Sequence, residues 1–145
     1  MMHTVSEILG EKDGAVIEID GGATVFEAVK AMVEANVGAL LVTDGTEIAG
    51  IFTERDYLRR VTLQDRGSHH TAVRDVMTRR LVWVQPEETI DNCMTIMTRE
   101  RIRHLPVLVE GRVVGMISIG DLVKFVAKQQ EVEIRYLKEY ISGPQ

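Results

Sequence analysis

The chain has 145 residues, enough for one domain or for two small modules sharing a core, and its 45% hydrophobic and 27% charged content suits a globular protein. A net charge of −5 argues against nucleic acid or an anionic membrane as partner, and the one cysteine, Cys93, allows no disulfide framework within a chain, which suits a reducing, cytoplasmic setting. No run approaches the roughly 18 apolar residues of a membrane span, and the opening "MMHTVSEILGEKDG" lacks the pattern of a signal peptide.

In chain order, a short lead-in, "VSEIL" (Val5 to Leu9), precedes a strand-like run, "VIEID". In "TVFEAVKAMVEANV", Val25, Ala28, Val29 and Met32 keep helical spacing, with Thr24 placed as N-cap and Glu27 three residues on. "ALLVTDGTEIAGIF" holds two strand runs around Asp44-Gly45, which is hairpin chemistry, and a helix begins near Thr53. "LQDRGSHHTA" (Leu63 to Ala72) reads as a polar, solvated linker, because His69 and His70 lack the further carboxylates or thiols of a metal site. A second set follows. "VRDVM" echoes the lead-in, "LVWVQ" is strand-like, and Ile90, Cys93, Met94 and Met97 space a helix behind Thr89. "LPVLVEGRVVGMI" is a hairpin around Glu110-Gly111, and a helix starts near Ser118. The chain then stays helical through "VKFVAKQQEVEIRYLKEYI". Val123, Ala127, Gln130, Ile134, Leu137 and Ile141 form one stripe, which either packs on its own domain or takes a partner helix.

The two sets are one unit written twice. Ile17 to Val61 aligns without gaps on Val82 to Val126, so that Thr24 falls on Thr89, Gly50 on Gly115, Thr53 on Ser118 and Asp56 on Asp121. Each copy runs strand, helix, strand, strand, helix, which predicts an α+β fold of two similar halves. Each also ends a strand at a hydroxyl residue with an aspartate three places later. That spacing is a complete capping box. It also suits a ligand, since a helix N-terminus offers free N–H groups and a carboxylate there accepts from ribose hydroxyls. The residues alone leave both readings open.

The motifs "VGALLVTDGTEIAGIFTERD" and "RIRHLPVLVEGRVVGMISIGD" resemble a tandem pair of cystathionine-β-synthase (CBS) domains, a Bateman module, over nearly all of Val5 to Lys128. "FTERDYLR", "RIRHLPV" and "MISIGDLV" are similar to small stand-alone CBS pairs of bacteria and plant organelles. The resemblance implies two pseudo-symmetric β-α-β-β-α domains at 5–66 and 73–130, with a C-terminal helix or tail at 131–145. It also implies two pockets for adenosine-containing ligands, with ribose held by Thr53, Asp56, Ser118 and Asp121. Residues entering the strand before the hairpin would hold phosphate. There the second copy offers Arg101, Arg103 and His104, forked donors that otherwise form a solvated surface cluster, where the first has Asn36, Gly38 and Ala39. Arg55 adds a cation beside the first aspartate. Gly38, Ala39, Thr78, Val82, Ile102 and Pro106 are the candidates to touch the base, with Pro106 also fixing the strand entry.

AMP is the expected ligand, with ADP, ATP or NAD as alternatives. Arg103 and His104 favour a phosphate over the cation of S-adenosylmethionine, and no metal is expected. The chain carries no Ser-His-Asp arrangement, P-loop or paired metal motif, so the expected role is a nucleotide-sensing regulator rather than an enzyme. A slow nucleotide hydrolase and a structural dimer with vestigial pockets are the competing readings. Expected partners are an effector protein and a second copy, joined through exposed Leu58, Val61, Leu122 and Phe125.

Overall fold

The computed structural model describes residues 2–12 and 16–142. They form an α+β fold of two compact units, Gly14–Val82 and Met1–Asp13 with Trp83–Gln145. In the first unit, β1 (Glu18–Asp20) pairs in parallel with β2 (Ala39–Asp44), which pairs antiparallel with β3 (Glu47–Thr53). The helix α2 (Val25–Ala35) lies between β1 and β2 in the chain, and β3 runs straight into a helical turn, α3 (Glu54–Asp56), and a π-helical stretch, Tyr57–Thr62. In the second unit, α1 (Val5–Glu11) joins α4 (Ile90–Glu100), the hairpin β4 (His104–Val109) and β5 (Arg112–Ser118), and α5 (Ile119–Ser142). The repeat extends to irregularities. Both hairpins carry a register shift at matching places, Val42/Thr43 and Val107/Leu108, and both first helices end on a left-handed residue, Asn36 or Arg101.

The sequence copies are expected at 5–66 and 73–130, and the compact units exchange the lead-ins of those segments. The reason is the unsatisfied N–H groups of a helix start. Thr24 and Thr89 cap α2 and α4 with side chains, accepting from the Glu27 and Asn92 amides, and neighbouring backbone covers the rest. Ile90 N–H donates to the His3 carbonyl and Val5 N–H to that of Glu88, each at 2.9–3.0 Å. On α2 the same service comes from the stretch expected to be a solvated linker. Val25 N–H donates to Thr71 O and Phe26 N–H to Ser68 O, Thr71 is buried, and His69 stacks on Phe26 at 4.2 Å. Residues 63–67, His69 and His70 are exposed as expected, while the Ser68 and Thr71 carbonyls make the stretch a structural part of its unit as well.

Two further expectations are corrected. "LVWVQ" makes no strand and contributes an isolated bridge, Val84 to Val107. In the first copy the Leu41 amide donates to Ile17 O and extends the ladder, whereas its counterpart Pro106 has no N–H to give. Of the four apolar residues expected to be exposed, Val61, Leu122 and Phe125 are core, and Leu58 alone is open at 57%. The helices that follow the hydroxyl residues turn those three inward, against cores that include Phe52 and Val76 in one unit and Leu105 and Ile117 in the other.

Beyond Lys128, α5 turns no apolar face to the core. From Gln130 to Ile141 every side chain is exposed, including Ile134, Leu137 and Ile141 of the predicted stripe, so the stripe does not fold back on its own domain. Residues 143–145 of the expected tail lie outside the described residues.

Candidate functional site

The repeated turn is a capping box in both copies. Thr53 Oγ1 accepts the Asp56 amide at 3.1 Å while Asp56 Oδ2 accepts the Thr53 amide at 3.0 Å. Ser118 Oγ accepts the Asp121 amide at 3.1 Å, and Asp121 Oδ2 accepts the Ser118 amide at 2.8 Å. Each box places a carboxylate in the first turn of a helix, where the positive end of the peptide dipoles stabilises negative charge. Strand pairing sets the neighbours. His104 lies directly opposite Ser118, and the Arg103 carbonyl accepts the Ile119 amide at 2.9 Å. Ala39 lies opposite Thr53, and the Gly38 carbonyl accepts from Glu54 at 3.1 Å. Each strand-entry segment expected to meet phosphate or base therefore borders the capping-box turn of its own unit.

The glycine of each motif admits a third participant. A Cβ on Gly50 would sit 2.4 Å from the Thr78 carbonyl, and one on Gly115 would sit 2.6 Å from Leu9. With hydrogen in those places, the segment after each lead-in lies flat on the strand and reaches the carboxylate. In the first unit Ile51 and Thr78 exchange backbone hydrogen bonds, and Thr78 Oγ1 donates to Asp56 Oδ1 at 2.9 Å. Arg60 secures the same segment through the Met77 carbonyl at 2.8 Å, with its Nε 3.8 Å from Asp56 Oδ1. Asp56 is buried.

In the second unit the corresponding partner is a cation. Lys12, just past α1, donates from Nζ to Asp121 Oδ2 at 2.8 Å and to the Met116 carbonyl at 2.6 Å. Burial pushes the Asp121 carboxyl up, but the bond from Lys12, the Ser118 amide and the Lys12 charge outweigh it and hold it below its ordinary value. Sequence reasoning missed Lys12. The lead-ins align with each other on a different offset from the rest of the repeat, so no residue stood opposite Thr78.

The remaining candidates are spread around these turns. Thr53, Arg55, Asp56, Gly38, Ala39, Thr78 and Val82 belong to the first unit; Ser118, Asp121, Arg101, Ile102, Arg103, His104 and Pro106 belong to the second. Arg101 is the left-handed cap of α4, Arg103 is exposed, and Pro106 is buried opposite Met116. Arg55 is exposed on α3, next to Asp56 in the chain. Cys93 is buried, its thiol pushed up to about 11 by burial and then by Glu88, which makes it a poor nucleophile. Among the described residues no group of three or more His, Cys, Asp or Glu is placed to hold a metal ion, and no helix is long and apolar enough to cross a membrane.

Comparison with known proteins matches the chain to the family model "CBS domain" at residues 5–63 and 73–128. The Arabidopsis thaliana protein "CBS domain-containing protein CBSX3, mitochondrial" is 42% identical over 149 residues, covering 97% of this chain and 72% of that protein. A solved structure of a Burkholderia ambifaria protein with CBS domains, assigned to signal transduction, is 47% identical with a TM-score of 0.86, covering 88% of this chain and 96% of that one. The CBS pair of protein MJ0100, solved with 5′-methylthioadenosine and S-adenosyl-L-methionine, shares the fold at a TM-score of 0.78 and 22% identity, covering 89% of this chain and 99% of that one.

Proposed function

The chain belongs to the CBS-domain family, and on that footing we propose that it is a regulatory protein that binds adenine nucleotides and signals their presence to an effector by changing conformation. One observation carries the reading: in each unit a hydroxyl and a carboxylate stand together at a helix mouth, bordered by the strand entry that would meet the rest of the ligand. Capping accounts for one oxygen of each carboxylate and leaves lone pairs for ribose hydroxyls. Thr53, Asp56, Ser118 and Asp121 would hold ribose, and Arg55, Arg101, Arg103 and His104 would grip phosphate. Gly38, Ala39, Thr78, Val82, Ile102 and Pro106 would shape the base site. Thr78 gains support from its bond to Asp56, which brings a base-side candidate onto a ribose-side one.

AMP is the favoured ligand, with ADP, ATP and NAD sharing its recognised half. The adenosine compounds bound by the MJ0100 pair support the nucleoside part of this reading, and the arginines of the second copy favour phosphate over a sulfonium. The exposed apolar stripe of α5 supports a homodimer, because a patch of that kind on a globular protein marks an interface. Calorimetric titration with AMP tests the ribose assignment. Asp121→Ala should weaken binding by about 1.5–3 kcal/mol, roughly ten- to a hundredfold, at the second turn. Unchanged affinity with a lowered melting point would leave Asp121 a helix cap and nothing more.

A further inference from the structure

The two turns share a design but not a partner, and the difference bears on how the second one takes ligand. Ribose presents two neighbouring hydroxyls, and a carboxylate grips them best with one oxygen for each. At Asp121, Oδ2 already accepts the Ser118 amide and the Lys12 ammonium, both at 2.8 Å, which fills its two lone pairs. The Ser118 amide is fixed by the backbone. Lys12 is the partner able to leave, since its side chain is 35% exposed and ends a flexible stem. At Asp56 the Thr53 amide and hydroxyl occupy Oδ2 at 3.0 and 3.2 Å and the Thr78 hydroxyl sits on Oδ1, but both hydroxyls donate and accept and so can stay beside a ribose; an ammonium has no lone pair to offer.

We infer that Lys12 is an internal competitor for the ribose-holding carboxylate of Asp121, a residue that sets the affinity of the second turn and makes it unequal to the first. The inference rests on the ribose role proposed for Asp121 above. Ligand arriving at Asp121 displaces the ammonium from Oδ2 and, with it, from the Met116 carbonyl. The Lys12 amide meanwhile closes α1 by donating to the Ile8 carbonyl. One residue thus joins the end of α1, strand β5 and the first turn of α5. Releasing its side chain removes one tie between α1 and the other two, while Leu9 stays against Gly115 and Glu11 stays 3.6 Å from Lys128.

Lys12→Met keeps the stem and removes the charge. In calorimetric titrations with AMP and with adenosine, it should tighten binding at the second turn by about two- to fivefold, the scale of a half-exposed ion pair. Both ligands should gain alike, because the competition is for ribose. Relative to Asp121→Asn alone, adding Lys12→Met should bring no gain, which locates the competition at that carboxylate. Unchanged or weaker AMP binding by Lys12→Met, or a gain that survives Asp121→Asn, overturns the competitor role while leaving the ribose site standing. A gain for adenosine with a loss for AMP would make Lys12 a phosphate ligand instead, and also overturns it. If neither the natural protein nor Lys12→Met binds either compound, the underlying nucleotide reading fails, and the competitor with it.

Discussion

Asp121 and Lys12 form a bond whose strength depends on pH in a definite direction. The Asp121 carboxyl is held below its ordinary value in the folded protein, by the Lys12 bond and charge and by the Ser118 amide working against burial. An unfolded aspartate titrates near ~3.9. The folded state therefore resists protonation, so Asp121 contributes stability above that pH and loses it as pH falls through the lower folded value. Lys12→Met removes part of that contribution. Its melting temperature should lie below that of the natural protein at pH 7, and the gap should narrow once pH falls below the ordinary aspartate value of ~3.9 and through the lower folded one, where the carboxylate is protonated in both. A gap that stays constant across this range would mean that Lys12 stabilises through its bond to the Met116 carbonyl or through its stem.

Among the elements, strand β3 shows how a small residue positions a functional group at some distance. Gly50 has to be glycine because the Thr78 carbonyl occupies the space a methyl group would fill, at 2.4 Å. Gly50→Ala should destabilise the fold by about 1–3 kcal/mol, as overpacking does, and should push Thr78 away from Asp56. Gly10→Ala is the control. Gly10 lies inside α1 with open space around the added carbon, and should gain about 0.5–1 kcal/mol of stability from helix propensity. Chemical denaturation of both variants measures the contrast, and equal effects would show that the Thr78 segment yields easily. At this scale much was legible in the sequence. Thr24, Thr89, Thr53 and Ser118 announced their helices through capping chemistry, and Asp44-Gly45 and Glu110-Gly111 announced their hairpins. Local patterns carry such signals. What failed needed a partner distant in the chain. Pro106 removed the N–H that the "LVWVQ" strand required, Ser68 and Thr71 turned a polar linker into the cover of α2, and Lys12 met Asp121 from the far end of the chain.

For the whole molecule, the repeat was legible from matched glycines and aspartates, while the exchange of lead-ins between units was not, because it depends on which helix start a backbone segment covers. The dimer expectation now rests on different residues. Val61, Leu122 and Phe125 are spent on the cores, whereas Ile134, Leu137, Tyr140 and Ile141 stand exposed along the free end of α5. In the proposed homodimer a second copy of the chain would cover them, closed two-fold pairing being the commonest assembly of globular chains. A regulator of the proposed kind binds an adenine nucleotide and leaves it unchanged. Native mass spectrometry of the purified protein with AMP tests it most directly. The expected result is a species at twice the chain mass of 16.3 kDa carrying AMP, with intact nucleotide released on denaturation. A spectrum free of any adduct with AMP, and likewise with ADP, ATP and NAD, would contradict it.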